Sequence, residues 1–338
     1  MKRILLLILV CLSFLACAGQ AIVSAQVFYD TDQVRYAVIP ESPSPGDPVT
    51  IAINKEVKEA VLIINGRQLS KTPFMYIPDD PGIPCYFAAI LTIPNTVTSQ
   101  SAIIRINDNA GLICEIPITI TPKEFYSETI QFNPANTNLV SGHNPQRDIE
   151  SQRLWQILST TGDQIYHTGR FVLPVTSTRR TSTYASRRIN RYSDGRSVTN
   201  IHAGIDFGIP TGTPVIAAGA GKVILARMRI VSGYSVIIEH WPGMYSLYYH
   251  LDSISVQEGA IVKTGELIGL SGSTGFSTGP HLHWELRINT ESADPDTFVN
   301  RPVIDKNQII YKIFNIERTD PAPAGSGRRN NTSNRARR

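Results

Sequence analysis

Three imidazoles and a carboxylate are spaced in this 338-residue sequence as a metal centre would need them. His281 and His283 form a His-x-His on an alternating apolar run that continues through Leu282, Trp284 and Leu286. Residues i and i+2 of a strand point to one side, so the two imidazoles project together while the Leu and Trp side chains face the other way. His202 and Asp206 are four residues apart, a spacing that shares a face on a strand or a helix; Gly204, Gly208 and Pro210 argue against a helix here. A catalytic zinc takes three N/O ligands from the protein and keeps a fourth place for water. His202, Asp206 and one of His281 and His283 would fill three places. The other of that pair, and His250, are then free for proton transfer, because imidazole titrates near neutrality. Each motif alone recurs by chance; both in one chain, each in a glycine-punctuated strand context, are much harder to obtain by accident.

The elements that must hold these residues are strands. Apolar residues make up 42% of the chain, and 22 prolines and 24 glycines separate short Val/Ile-rich runs, the texture of many strands and turns rather than long helices. Residues 49–53, 60–64 and 102–106 and the alternation Ile116, Ile118, Ile120 read as half-buried strands, with turn signals at Asn65-Gly66 and Asp79-Asp80-Pro81-Gly82. They predict an immunoglobulin-like β-sandwich over residues 26–125, without a titratable cluster and suited to spacing or to docking envelope proteins. A connector at 126–170 holds one predicted helix, with Asn144 as its cap, Pro145 at its first position, and Ile149, Leu154, Ile157 and Leu158 as its apolar stripe. Strand texture returns from residue 171 and defines an antiparallel β domain over 171–315, crossed by an open groove in the expectation developed below.

A basic start, Lys2-Arg3, followed by a nearly unbroken apolar run from Ile4 to Ala18 and a small-x-small site at Val23-Ser24-Ala25, reads as a secretory signal peptide over residues 1–25. A second export reading, a loose lipobox ending at Cys17, makes that residue a lipid-modified N-terminus. Either reading places the protein in the periplasm or cell envelope, where a disulfide between Cys85 and Cys114 would persist; two buried free thiols are the alternative, since sequence does not fix their separation. Six of the arginines and one aspartate lie in residues 318–338, a net of +5 that leaves −1 for the rest of a +4 chain. This distribution excludes a basic nucleic-acid binder and marks 316–338 as a disordered basic tail. The glycine-rich run at 269–279 lacks the Gly-Lys-Ser/Thr ending of a phosphate loop, and His143, His167 and His240 lie outside the pattern as ordinary hydrogen-bonded or surface histidines.

The ordered series His202-x-x-x-Asp206, Gly212-Thr213-Pro214-Val215 with Ala217-Ala218 and Gly221-x-Val223, and Tyr249-His250-Leu251 resembles the lysostaphin-type and LytM-type zinc metallopeptidases. The resemblance continues through Gly259-x-x-Val262-x-x-Gly265, Ile268-Gly269, Gly272-Ser-Thr-Gly275, Thr278-Gly279-Pro280-His281-Leu282-His283 and Glu285, covering about residues 171–298. It implies a compact antiparallel β core with a groove across the sheet, one zinc ion per chain held by His202, Asp206 and His283, and His250 and His281 as catalytic neighbours of the scissile bond. It also implies hydrolysis of peptide bonds in peptidoglycan stems or cross-links. Relatives that lack part of the zinc set are silent regulators of other cell-wall hydrolases, which defines the alternative. One departure, Tyr184-Ala185 where many relatives carry Phe-Gly, falls in a segment expected to shape the groove and not the metal shell.

Overall fold

The β-branched runs and their Gly, Pro and Asn-Gly breaks produce strands throughout the computed structural model, which describes residues 34–78 and 86–316 and is mainly β. Strands up to residue 131 are β1 (Tyr36–Ile39), β2 (Pro48–Ile53), β3 (Glu59–Ile64), β4 (Arg67–Pro73), β5 (Met75–Ile77), β6 (Tyr86–Thr92), β7 (Ser101–Asn107), β8 (Leu112–Thr119) and β9 (Ser127–Gln131). They form an antiparallel sheet of order β1-β2-β6-β5 and a second of order β4-β3-β7-β8. Val49, Ile51, Leu62, Leu91 and Ile104 fill the core between the two. The other face of the first sheet, with Ala52, Ala88 and Ile90, joins a larger core containing Phe298, Ile309 and Ile313 from the C-terminal half. β2 is therefore buried along its whole length and not half-buried. A sheet covered on both faces has no solvent side for the alternation to record, and even Thr50 is inside, its hydroxyl donating to the Val303 carbonyl at 3.0 Å.

The connector holds β9 and two helices, α1 (Pro134–Val140) and α2 (Pro145–Ser159), where one helix was expected. Asn133 and Asn144 cap them, their side-chain oxygens accepting from the amides of Asn136 and Arg147 at 2.9 and 3.1 Å, with proline at the start of each helix. Ile157 and Leu158 of α2 pack with Leu225, Ile237 and Leu247. Ile149, assigned to the same stripe, is exposed, as is Trp155.

The C-terminal strands are β10 (Arg180–Ser182), β11 (Arg187–Arg191), β12 (Ser197–Ile201), β13 (Gly204–Phe207), β14 (Pro214–Ile216), β15 (Gly221–Arg229), β16 (Gly233–Trp241), β17 (Met244–Ile254), β18 (Ile261–Val262), β19 (Leu267–Ser271), β20 (Leu282–Ile288) and β21 (Glu291–Ala293). Helices α3 (Asp296–Asn300) and α4 (Lys306–Phe314) follow. The main sheet runs β10-β13-β20-β17-β16-β15-β18, and a small sheet of order β12-β11-β9 stands beside it. In that small sheet β9 lies parallel to β11.

The expected signal segment with Cys17, the turn at 79–82, Cys85 of the disulfide-or-thiol pair, and the tail from residue 317 lie outside the described residues. Cys114 is half-buried. Among the described residues no helix is long and apolar enough to cross a membrane.

Candidate metal centre

Strand register builds the site. Ser182, Asp206, His283 and Tyr249 are cross-strand partners in one lateral row over β10, β13, β20 and β17. Their chain neighbours Phe207, Leu282 and Trp284 point the other way and are fully buried in the core, so the apolar alternation anchors the polar row. His202, in the link between β12 and β13, closes the set. Its Nε2 is 3.1 Å from Asp206 Oδ1 and 3.0 Å from His283 Nδ1, and His283 Nδ1 is 2.7 Å from Asp206 Oδ1.

Hydrogen bonds behind these atoms decide what they present. His202 Nδ1 lies 2.9 Å from the Thr183 carbonyl, which can only accept, so Nδ1 carries the hydrogen and Nε2 the lone pair. His283 Nε2 lies 2.9 Å from Glu285 Oε1 and donates to it, which turns Nδ1 inward. Asp206 Oδ2 accepts from Arg188 Nη2 at 2.6 Å, leaving Oδ1 for the centre. Three lone pairs thus converge on one point, an arrangement that repels itself unless a cation lies among them. His202, Asp206 and His283 form a set that fits a metal ion, with each imidazole backed by an acceptor as metal-ligating histidines are.

The local field agrees. Burial opposes charge on His283, but the hydrogen bonds and charges of Asp206 and Glu285 outweigh it and push the imidazole up to about 9. Burial likewise works against ionised Asp206, yet its hydrogen bonds with His202 and His283 hold it well below the usual carboxylate range. His202 itself is pulled down by burial. A pocket that draws a proton this strongly to Nδ1 draws a divalent cation by the same charge, and the cation displaces the proton.

His250 and His281 lie beside the set, their rings 4.7 Å apart. His281 Nδ1 donates to the Gly279 carbonyl at 2.8 Å, and its Nε2 lies 3.9 Å from Asp206 Oδ1. His250 Nδ1 donates to the Thr274 carbonyl at 2.8 Å. Both therefore present an unprotonated Nε2, and burial pulls His281 down and His250 to about 3. Tyr249 and His250, consecutive residues, both line the groove, which a regular strand forbids. The register of β16 and β17 slips between Tyr234 and Val236, and His250 sits at φ +59°, a bulge that turns its ring to the side of Tyr249.

All five expected site residues meet in one groove of about 650 Å³, whose walls include Glu128, Arg188, Asn190 and Phe276. Sequence reasoning assigned no role to several outer residues, Glu285 among them although it closes the motif series. Glu285, two residues after His283 on the same strand face, carried a usable signal; Arg188, Glu128 and the Thr183 carbonyl carried none. The segment around Tyr184-Ala185 does more than shape the groove. It supplies Thr183 and Arg188 to the shell of His202 and Asp206, because β10 and the turn to β11 lie directly against β13. Of the remaining histidines, His143 is exposed, His167 contacts the Arg170 carbonyl, and His240 is fully buried and hydrogen-bonded.

An antiparallel sheet carrying a buried His/Asp/His set at the base of an open groove is the architecture of a metallopeptidase domain. Residues 200–295 match Peptidase family M23. Peptidoglycan DD-endopeptidase ShyB of Vibrio cholerae is 44% identical over 93 residues, a match spanning 28% of this chain and 22% of that protein. The catalytic domain of the prophage-encoded M23 protein EnpA from Enterococcus faecalis is 34% identical, with 97% of it and 39% of this chain covered at a TM-score of 0.32. A Pseudomonas aeruginosa crystal structure assigned to peptidase M23 shares the fold more widely, over 76% of this chain and 94% of that one, at TM-score 0.56 and 23% identity. Residues 200–295 thus form a peptidase family M23 domain within this chain.

Proposed function

We propose that this protein is a zinc-dependent endopeptidase that hydrolyses peptide bonds in peptidoglycan stems or cross-links. The observation that carries the reading is the convergence of three oriented lone pairs, from His202, Asp206 and His283, at the base of a groove flanked by two more imidazoles. Zinc held there would polarise the scissile carbonyl and lower the pKa of a water towards ~7. The chain supplies the rest. His202 and His283, locked by the Thr183 carbonyl and Glu285, keep the donor set preorganised. His281 and His250 each offer a bare Nε2 that can accept the proton of the attacking water and then return it to the oxyanion or the leaving amine. In this reading His281, whose Nε2 lies 3.9 Å from Asp206 Oδ1, takes the first of these tasks. Peptidoglycan as substrate agrees with the DD-endopeptidase activity in the name of ShyB, and it requires export to the envelope. The paired N-terminal sheets serve in this reading as an immunoglobulin-type spacer or as a docking unit for envelope proteins.

The test uses the purified full chain, its zinc content and isolated sacculi. Wild type releases muropeptides, EDTA stops release and added zinc restores it. His283→Ala loses zinc and activity together, whereas His281→Ala keeps zinc and loses activity by ~10²–10⁴-fold. The reverse pattern overturns the role assignment. Zinc-loaded protein that cuts nothing but stimulates a second hydrolase overturns the enzyme reading in favour of a regulator.

A further inference from the structure

We propose that Glu128, on the connector strand β9, is a positioning residue for the metal centre, so that the connector completes the outer shell of the site. The inference rests on the reading of His202, Asp206 and His283 as metal ligands. Glu128 and Arg188 are register partners across the parallel pair β9–β11. Glu128 Oε1 accepts from Arg188 Nε at 2.7 Å and from the Ser182 hydroxyl at 2.6 Å. Arg188 passes this order on through Nη2 to Asp206 Oδ2, and Ser182 Oγ lies 3.3 Å from His202 Nδ1. One carboxylate oxygen outside the core domain thus steers the side chains behind two of the three donors.

Charge makes the role specific. The Arg188 guanidinium sits mostly buried beside Asp206, where an uncompensated cation would withdraw electron density from the ligand and repel a divalent ion. Glu128 neutralises it. With Arg287 paired to Glu285 and Arg188 paired to Glu128, the unpaired charge left facing the metal is that of Asp206. Removing Glu128 brings the cluster to neutrality and leaves Arg188 tethered at one end only. The strand cannot easily drift, because Phe132 just beyond it stacks on both Tyr192 and Phe276, at 5.4 and 4.3 Å, and Asn136 donates to the Ser277 carbonyl at 2.8 Å. β9 is thereby fastened to both the β11–β12 hairpin and the loop that precedes His281.

The experiment measures Zn²⁺ affinity by competition with a chromogenic chelator, and the visible spectrum of the Co²⁺-substituted full-length protein. Glu128→Gln, close to isosteric, is expected to bind zinc several-fold more weakly, and Glu128→Ala about tenfold, the low end of outer-shell effects. The Co²⁺ bands shift, and saturating zinc restores most of the sacculus-cleaving activity of Glu128→Gln. Thr129→Ala, on the opposite face of the same strand, is expected to match wild type. Wild-type zinc affinity and an unshifted Co²⁺ spectrum in folded Glu128→Gln overturn the proposal, and so does an equal loss in Thr129→Ala. Raised KM with unchanged zinc affinity also overturns it, since that marks a groove wall only. If wild type binds zinc but cuts no sacculi, the peptidase reading fails while this one stands.

Discussion

Glu285 and the Thr183 carbonyl do the same job for different histidines: each takes one ring hydrogen and thereby aims the other nitrogen at the centre. Glu285→Gln is expected to weaken zinc binding by ~10–100-fold, read by chelator competition, because the amide is a poorer acceptor and the Arg287 charge is no longer balanced. Ala185 occupies the left-handed region at φ +58°, which costs an L-residue ~1–2 kcal/mol. Ala185→Gly is expected to change stability by less than about 1 kcal/mol in a denaturant titration, since relief of that strain is offset by one lost buried methyl. At this scale the sequence was informative wherever chemistry resides in a side-chain type. His202, Asp206 and the pair His281 and His283 could be picked out because few other letters bind metal, whereas the choice of His283 within that pair came from the family resemblance. The Thr183 carbonyl leaves no letter, and Glu128 lies 60 residues from the arginine it holds, so nothing local pairs them.

The bulge in β17 shows what an element adds to its residues. Without it His250 would face the core side of the sheet, and the alternation around Tyr248, Tyr249 and His250 gives no hint of the slip, since both registers bury aromatic rings. His250→Gly removes a non-glycine side chain from φ +59°, so thermal unfolding is expected to stay within about 1 kcal/mol of wild type while peptide cleavage falls by ~10²–10⁴-fold. Gly275 shows the converse. At φ +75° a Cβ there would collide with the backbone of Gly233 and Val231. Gly275→Ala is expected to cost about 1–3 kcal/mol and to lower activity further, because the adjacent Thr274 carbonyl holds His250. The alternation of β20 was legible from periodicity; β9 and α1, short and largely polar, were not.

Across the whole molecule the two halves share a core instead of meeting at a thin seam. Arg301 Nη2 donates to the Pro48 carbonyl at 2.8 Å, and Asn95 donates to the hydroxyls of Tyr184 and Ser292. The strand texture of the N-terminal region was visible in sequence, but the burial of β2 on both faces was not, because apolar letters do not say how many sheets they will touch. Inside the C-terminal core, burial pushes His240 down to about 3, with its Nδ1 donating to the Ala220 carbonyl and its Nε2 against the Ser246 hydroxyl, each at 2.7 Å. The unfolded chain protonates this ring below its ordinary 6.5, whereas the folded protein does not. The contribution of His240 to stability is therefore complete above pH ~6.5 and is lost as the pH falls towards about 3, by up to ~1.4 kcal/mol per pH unit; a pH series of denaturant midpoints, with His240→Gln as the flatter control, checks the slope. The lateral row that carries the site has one more consequence. His202 and His283 are 81 residues apart, and Glu128 precedes both, so any fragment that stops short of β20 carries two donors at most. On the proposed function, a ribosome or an export channel releasing this chain from its N-terminus would hand over a protein unable to complete its metal site until nearly its last strand had emerged.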